Sequence, residues 1–426
     1  MNLIARKSQL HGSVQIPASK SHTVRMVAIA ALAEGQSTIR RPLISMDTLS
    51  AAQCYGMLGA SIDTGNSQRW TVIGTGSRPT LPKETIDVGN SGTTLRIAVG
   101  SASLASPDQT CTFTGDQQIQ NRPIGPLLSA LENLGARCKS VKGNGKPPVR
   151  ISGGFDGGQT DLEASTSQYL TSLLLCAPLA RRDTEIHLTL LNEPGYVEIT
   201  LDWLTQQNIE YTNDGLKHFV IKGGQHYTAF DMAAPADFSS ATFFLCGAAL
   251  FGREVYLKGL DFGDCQPDKA VVDYLQAMGA DITVRDDAVL VRGRALTGTE
   301  IDMNNTPDAL PALAVTAAFA QGTTKLLNCP QARHKETDRI HCMALELAKL
   351  GADVTELPDG LIVRGSTLKA LPVKGWHDHR IVMALALAGL GLEDPLTVDT
   401  AEAMRVTFPD FVELMTGLGA DMEVVK

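Results

Sequence analysis

The sequence predicts an α/β protein of two domains, each built from three βαβαββ-type repeats, and three observations predict it. A helix of small apolar residues recurs six times, roughly every 70 residues, each time introduced by polar side chains. An amphipathic helix ending at glycine and running into a short strand recurs in GMLGASI, ENLGARC, QAMGADI, AKLGADV and TGLGADM, with Gly59, Gly135, Gly279, Gly351 and Gly419 at the turn. The interval from Gly135 to Gly279 is double the others, and Asn208 lies midway in LTQQNIEY. Asparagine is the best substitute for glycine in the left-handed position after a helix, so this is a sixth copy.

Each copy reads as a buried helix, a strand, an amphipathic helix and a strand pair such as ASIDTG with RWTVIG. The first helix is apolar on every side, as suits a helix packed inside; the second has one apolar stripe and one charged face, as in RIHCMALELAKLGA. Strands are therefore expected outside and helices within. No strand runs into a GxGxxG turn, which excludes a Rossmann order. Three repeats per domain is the natural division, with breaks at Pro17-Ala18-Ser19 and Ala234-Pro235. The N-terminal LIARKSQLHGSVQI has no helix before it, and the last repeat ends at Val425 with its strand set incomplete. The expectation is a discontinuous domain of residues 1–18 and 236–426 with residues 19–235 inserted, joined by a double-stranded hinge that favours open and closed states.

The net charge of −9 argues against nucleic acid as a partner. It leaves anionic substrates open, because local basic residues and helix ends set the field in a cleft. Eight cysteines without CxxC or Cys/His spacing read as reduced, mostly buried thiols of a cytoplasmic protein, with no metal. The start MNLIARKSQLHG does not read as a signal peptide. The longest apolar run, Tyr169 to Ala180, is too short to cross a bilayer.

The chemistry gathers at the helix starts, where unpaired N–H groups and the positive end of the helix dipole attract anions. Lys20-Ser21-His22-Thr23-Val24-Arg25 puts a lysine and a serine at one start and an arginine about a turn on. Asn90-Ser91-Gly92-Thr93-Thr94 forms a compact cradle, with Gly92 allowing close approach of an oxyanion. Asn121-Arg122-Pro123 offers an arginine beside a rigid turn. Ser165-Thr166-Ser167-Gln168 supplies three hydroxyls where a cap needs one. His334-Lys335-Glu336-Thr337-Asp338-Arg339 is the densest cluster, on a strand-to-helix loop, with Lys335 and Arg339 four apart on one helix face. Asp308 stands at a buried helix start as a carboxylate or general base, and Asp378-His379-Arg380 opens the sixth buried helix. Singly, each has an ordinary reading as a cap, a solvated charge run or a structural histidine. At equivalent positions of a sixfold repeat, they point to one shared cleft for small, multiply anionic substrates.

The same residues resemble the 5-enolpyruvylshikimate-3-phosphate synthase family over nearly the whole chain. The matches are PASKS at 17–21 with Arg25, GNSGTTLR at 89–96, NRPIGPLLSAL at 121–131, STSQYLTSLLL at 165–175, DFSSATFFL at 237–245, IDMNNTPDA at 301–309, HKETDRI at 334–340, DHRIVMA at 378–384 and TFPDF at 407–411. The resemblance implies the inverted α/β barrel-like enolpyruvyl transferase fold. It also implies transfer of the enolpyruvyl group of phosphoenolpyruvate to the 5-hydroxyl of shikimate 3-phosphate. The discontinuous domain would be the phosphoenolpyruvate side and the inserted domain the shikimate 3-phosphate side. By resemblance, Lys20, Gly92, Arg122 and Gln168 would hold the phosphate of phosphoenolpyruvate, and Arg339 and Arg380 its carboxylate. Ser21 and Arg25 would bind the shikimate carboxylate, Thr166, Ser167, Gln168 and Tyr196 would serve the shikimate 3-phosphate side, and Asp308 and Lys335 would contact acceptor hydroxyls. Asp308 would be the base, and Glu336 or Lys20 the acid. No cofactor or metal is implied, and a monomer acting on small molecules, with no nucleic-acid or membrane partner, is expected.

This chain departs from the family pattern in places. Val406 stands where the family has a lysine, with Arg405 before it. Asn192-Glu193-Pro194-Gly195-Tyr196 carries an extra residue and an acid where the family has a base, and Glu193 beside a dianion would be unfavourable unless it points away. Thr166, Ala18 and Gln331 replace a usual Ser, Gly and Asn. The alternative is an enolpyruvyl transferase of the same fold acting on another hydroxylated acceptor. A catalytically inactive binding protein is a third reading, but such a relic has no reason to keep buried charges unpaired.

Overall fold

The computed structural model describes all 426 residues and divides into two compact units, Met1–Pro17 with Pro235–Lys426, and Ala18–Ala234. The Ala18–Ala234 unit carries three four-stranded sheets. In the second and third of these, a strand ahead of a buried helix runs parallel to the strand after it, and a hairpin adds two antiparallel strands. In the first, the parallel neighbour of Gln36–Arg40 is Asp231–Ala233, so the last strand of the unit completes its first repeat. The other unit repeats the scheme with N-terminal strands. Leu10–Gln15 runs parallel to Gly252–Lys258, while Asn2–Arg6 pairs with both Leu396–Val398 and Asp421–Val425.

Six helices form the interior: Lys20–Leu32, Gly92–Ser103, Ser167–Cys176, Phe238–Phe251, Leu310–Phe319 and His379–Gly389. In the first, every residue from His22 to Leu32 is buried, and in the sixth every residue is. Small residues let such helices approach closely. A Cβ at Gly100 would come within 2.2 Å of Ser172 Oγ on the neighbouring helix, so any larger residue there must push the two apart. The amphipathic helices end as the sequence predicts, with positive φ at Gly59, Gly135, Gly279, Gly351 and Gly419, and with Asn208 at φ +56 in the sixth copy.

All eight cysteines are free, and all but Cys265 are buried. Burial pushes the Cys246 thiol up to about 12, which makes it an unreactive packing group. No helix is long and apolar enough to cross a membrane.

Candidate active site

In the Ala18–Ala234 unit, Ser19 caps the first buried helix by accepting from the His22 N–H at 3.4 Å, which sets Lys20 at its first position. Lys20 Nζ lies 3.3 Å from the buried Asp47 carboxylate in the first turn of the helix Met46–Met57, a partner the sequence reading missed. Arg25 is buried and ties three segments together. Its guanidinium donates to Thr200 Oγ1 at 2.9 Å, to the Ser21 carbonyl at 2.9 Å, to Thr171 Oγ1 at 3.3 Å and to the Tyr196 carbonyl at 2.9 Å.

Gly92 and Arg122 come together, and Gln168 bonds to Thr93, the residue after Gly92. A Cβ at Gly92 would stand 2.5 Å from Arg122 Nη1, so only glycine lets that guanidinium lie against the helix start. Gln168 donates to Thr93 Oγ1 at 3.0 Å and accepts from Arg96 Nη1 at 2.5 Å. Arg96 therefore orients the Gln168 amide, and it was legible only as the last residue of GNSGTTLR. Tyr169 Oη donates to the Pro123 carbonyl at 2.6 Å and fixes the turn that carries Arg122.

Glu193 does not point away. It sits at φ +58, in the left-handed region that bulky residues avoid, and its buried carboxylate turns onto the start of the helix Ser167–Cys176. There it accepts from the Ser167 N–H at 3.2 Å, Ser167 Oγ at 2.8 Å and Thr166 Oγ1 at 3.2 Å. The reason is the one that recommended these residues for a phosphate: an open helix N-terminus attracts whichever anion is within reach. Tyr196 follows in the first turn of the helix Pro194–Gln206.

In the other unit, Arg339 is the hub. Its Nε lies 2.8 Å from Asp378 Oδ2, its Nη1 2.8 Å from Asp308 Oδ1, and its Nη2 2.5 Å from Glu336 Oε2. Asp308 also has Lys335 Nζ at 3.7 Å and Arg380 Nη2 at 3.2 Å. Arg380 donates further to Ser239 Oγ at 2.7 Å. Lys335, Arg339 and Arg380 thus interlock with Asp308, Glu336 and Asp378, so these charges are paired with one another. Burial alone would lower the Arg339 pKa, but Asp378, Glu336 and Asp308 outweigh it and hold the group above the usual arginine value.

Lys335 and Arg339 do not share a helix face. A 3₁₀ turn ends at His334, Lys335 to Thr337 are irregular, and Asp338 caps the helix Arg339–Lys349 by accepting from the His341 N–H at 3.0 Å. A capping aspartate begins the helix too late to include Lys335. A 3₁₀ turn Pro307–Ala309 likewise places Asp308 just ahead of the fifth buried helix.

The segment leading to Arg380 is held under strain. Trp376 and His377 have φ of +57 and +53. Fully buried Glu346 accepts from Trp376 Nε1 at 2.8 Å and from the Lys374 N–H at 3.0 Å, so it anchors that turn from a neighbouring helix. Asp378 then caps the sixth buried helix by accepting from the Arg380 N–H at 2.9 Å. His379 is buried beside the charged network: burial pushes its pKa down to about 3, against the pull of Glu336 and Asp378, and its Nε2 has no hydrogen-bond partner. It is a neutral structural residue. Arg405 is exposed in the 3₁₀ segment Ala401–Val406, and buried Gln331 donates to the Asn304 carbonyl at 3.1 Å.

Residues 4–415 match the family model described as EPSP synthase (3-phosphoshikimate 1-carboxyvinyltransferase). Curated proteins named 3-phosphoshikimate 1-carboxyvinyltransferase from Acetivibrio thermocellus and Ruminiclostridium cellulolyticum are 51% and 50% identical, each covering 100% of both chains. Among solved structures, an EPSP synthase from Acinetobacter baumannii aligns over 100% of both chains with a TM-score of 0.85 and 28% identity. The enolpyruvyl transferase NikO from Streptomyces tendae, at 19% identity, covers 99% of this chain and 98% of its own with a TM-score of 0.78, a likeness of fold.

Proposed function

The chain belongs to the EPSP synthase family, and from that premise we propose how its own residues carry the reaction. It is a 3-phosphoshikimate 1-carboxyvinyltransferase of the shikimate pathway. It moves the enolpyruvyl group of phosphoenolpyruvate to the 5-hydroxyl of shikimate 3-phosphate and releases phosphate. Lys20, Gly92, Arg122 and Gln168 take the phosphate of phosphoenolpyruvate, and Arg339 and Arg380 its carboxylate. Ser21 and Arg25 meet the shikimate carboxylate; Thr166, Ser167, Gln168 and Tyr196 serve the 3-phosphate side, and Asp308 and Lys335 the hydroxyls. The enzyme works as a cytoplasmic monomer on these small molecules alone.

The observation that carries this reading is the interlocked network around Asp308 and Arg339. In the addition step the 5-oxygen bonds to C2 of phosphoenolpyruvate, Asp308 takes the hydroxyl proton, and C3 receives a proton to become a methyl group. In the elimination step C3 gives up a proton, the C2–C3 double bond re-forms and the C2–O bond to phosphate breaks. Arg339 holds Glu336 at 2.5 Å in the structure. When a substrate carboxylate takes that guanidinium, Glu336 loses its counter-ion, and its protonated form is then the favoured donor to C3. Lys20, set against Asp47, is the second candidate for that proton.

The test is phosphate release from phosphoenolpyruvate with shikimate 3-phosphate or shikimate as acceptor and no added metal. Release with the phosphorylated acceptor only is the expected result. Equal release with both acceptors would remove the 3-phosphate roles of Thr166, Ser167 and Tyr196.

A further inference from the structure

We propose that the outer face of the sheet containing Thr184–Leu191 binds a divalent transition metal, zinc foremost, through Glu185, His187 and His218. The strand order is Gly158–Ala164, Thr184–Leu191, His218–Ile221, Tyr211–Asp214. Along the second strand Thr184 and Ile186 are buried, so Glu185 and His187 project from the opposite, outer face. His187 stands directly across from His218, with Asp161 in register on one side and Asp214 on the other. Residues paired in register project to the same face, so a row of Asp, His, His and Asp crosses all four strands, with Glu185 two positions along.

The three side chains gather at one place. The two imidazoles stack 4.3 Å apart at 11°, and their Nε2 atoms lie 3.0 and 2.9 Å from the same oxygen, Glu185 Oε1. The three ligand atoms fall within 4.8 Å of one another. Tetrahedral zinc, with ligands at about 2.0–2.2 Å, sets its ligand atoms about 3.4 Å apart, so each Nε2 would move only a few tenths of an ångström from Glu185 Oε1, while one imidazole turns out of the stack to aim its lone pair at the ion. Gln159 lies 3.1 Å from His187 Nε2 through its amide nitrogen. A half-turn of that amide brings its oxygen to the same place as a fourth ligand.

His187 Nε2 is shared between Gln159 and Glu185, and a neutral ring nitrogen cannot accept from one and donate to the other. A cation in place of the shared proton would draw on the two Nε2 atoms and Glu185 Oε1 together. The two imidazole donors favour zinc, nickel or copper over magnesium or calcium. The side chains are 33–40% exposed, which gives an ion access, and the mostly buried cysteines do not compete. A bound ion would join the strands Thr184–Leu191 and His218–Ile221, which stabilises the folded form. None of the residues proposed for enolpyruvyl transfer takes part.

The experiment titrates the chelator-stripped full chain with zinc chloride by isothermal calorimetry, beside His187→Ala and His218→Ala, with thermal melts of each. The expected result is one zinc per wild-type chain, an affinity at least about 100-fold weaker in either variant, and a zinc-dependent rise in melting temperature that both variants lose. Metal-free phosphate release should be unchanged in both variants, which shows that they are folded. No zinc binding by the wild type, or equal binding by wild type and variants, would overturn the proposal.

Discussion

The two units handle charge in opposite ways. In Ala18–Ala234, Arg25 donates to neutral oxygens, Gln168 donates to a hydroxyl, Glu193 lies on a helix end, and Lys20 is paired with Asp47 alone. In the other unit, Lys335, Arg339 and Arg380 are locked to Asp308, Glu336 and Asp378. A cradle built from helix ends meets an anion mainly with N–H groups and hydroxyls, with Lys20–Asp47 as its one pair to open. An interlocked network must exchange one partner for another, and each exchange changes which carboxylate is left holding a proton. The first arrangement suits holding phosphate; the second suits moving protons.

The largest expected effect sharpens this contrast. Glu336→Gln keeps the shape of the network but removes its proton donor, so kcat should fall by roughly 10²–10⁴ while both KM values stay within a few-fold. Steady-state kinetics decide it: ordinary turnover would strike Glu336 from the mechanism and leave the proton to Lys20.

Next comes stability. Arg339→Met leaves the fully buried Asp378 without its counter-ion, and loss of one member of a buried pair costs about 3–5 kcal/mol. Arg122→Met, in the cradle, should leave stability nearly unchanged and mainly raise KM for phosphoenolpyruvate. Urea denaturation of both variants separates the two cases, and similar losses would mean that the units do not differ as described.

The sequence shows why these two regions were unequally legible. Repeats, caps and helix ends are local, so the six buried helices, the left-handed Asn208 and the polar residues at helix starts could be read directly. Partners that lie far apart in sequence could not. Nothing near Lys20 announces Asp47, nothing in HKETDR tells that Arg339 will hold Asp378, 39 residues on, and Glu346 looks like one more charged position of an amphipathic helix until Trp376 is seen to donate to it. The helical placement of Lys335 failed for a local reason, since Asp338 was counted as part of the charge run instead of as its cap. The direction of Glu193 depends on a left-handed backbone at a residue that rarely adopts one.

Glu193 also supplies the next test. If its carboxylate and the acceptor's phosphate seek the same Ser167 N–H and hydroxyls, Glu193→Gln should lower KM for shikimate 3-phosphate about tenfold or more and leave that for phosphoenolpyruvate alone. A raised KM for the acceptor would instead make Glu193 a support of the helix end, and the cradle would then contain an acid that it needs.

The smallest effect concerns His379, which stands among Glu336, Asp378, Arg339 and Arg380 without carrying charge. Its folded pKa, about 3, lies below the ordinary 6.5, so the unfolded chain takes up a proton at a pH where the folded chain does not. The stability it lends is complete above 6.5 and is lost as pH falls from there toward 3, by up to about 1.4 kcal/mol per pH unit. Between pH 7 and pH 5 urea denaturation should therefore show a loss of about 2 kcal/mol in the wild type. In His379→Gln that slope should flatten, whatever the variant's stability at pH 7, because its side chain cannot titrate. The same reasoning makes the acid limb of kcat a report on carboxylates: a limb that vanished with His379→Gln would put a proton carrier where the network has only a packed, neutral ring.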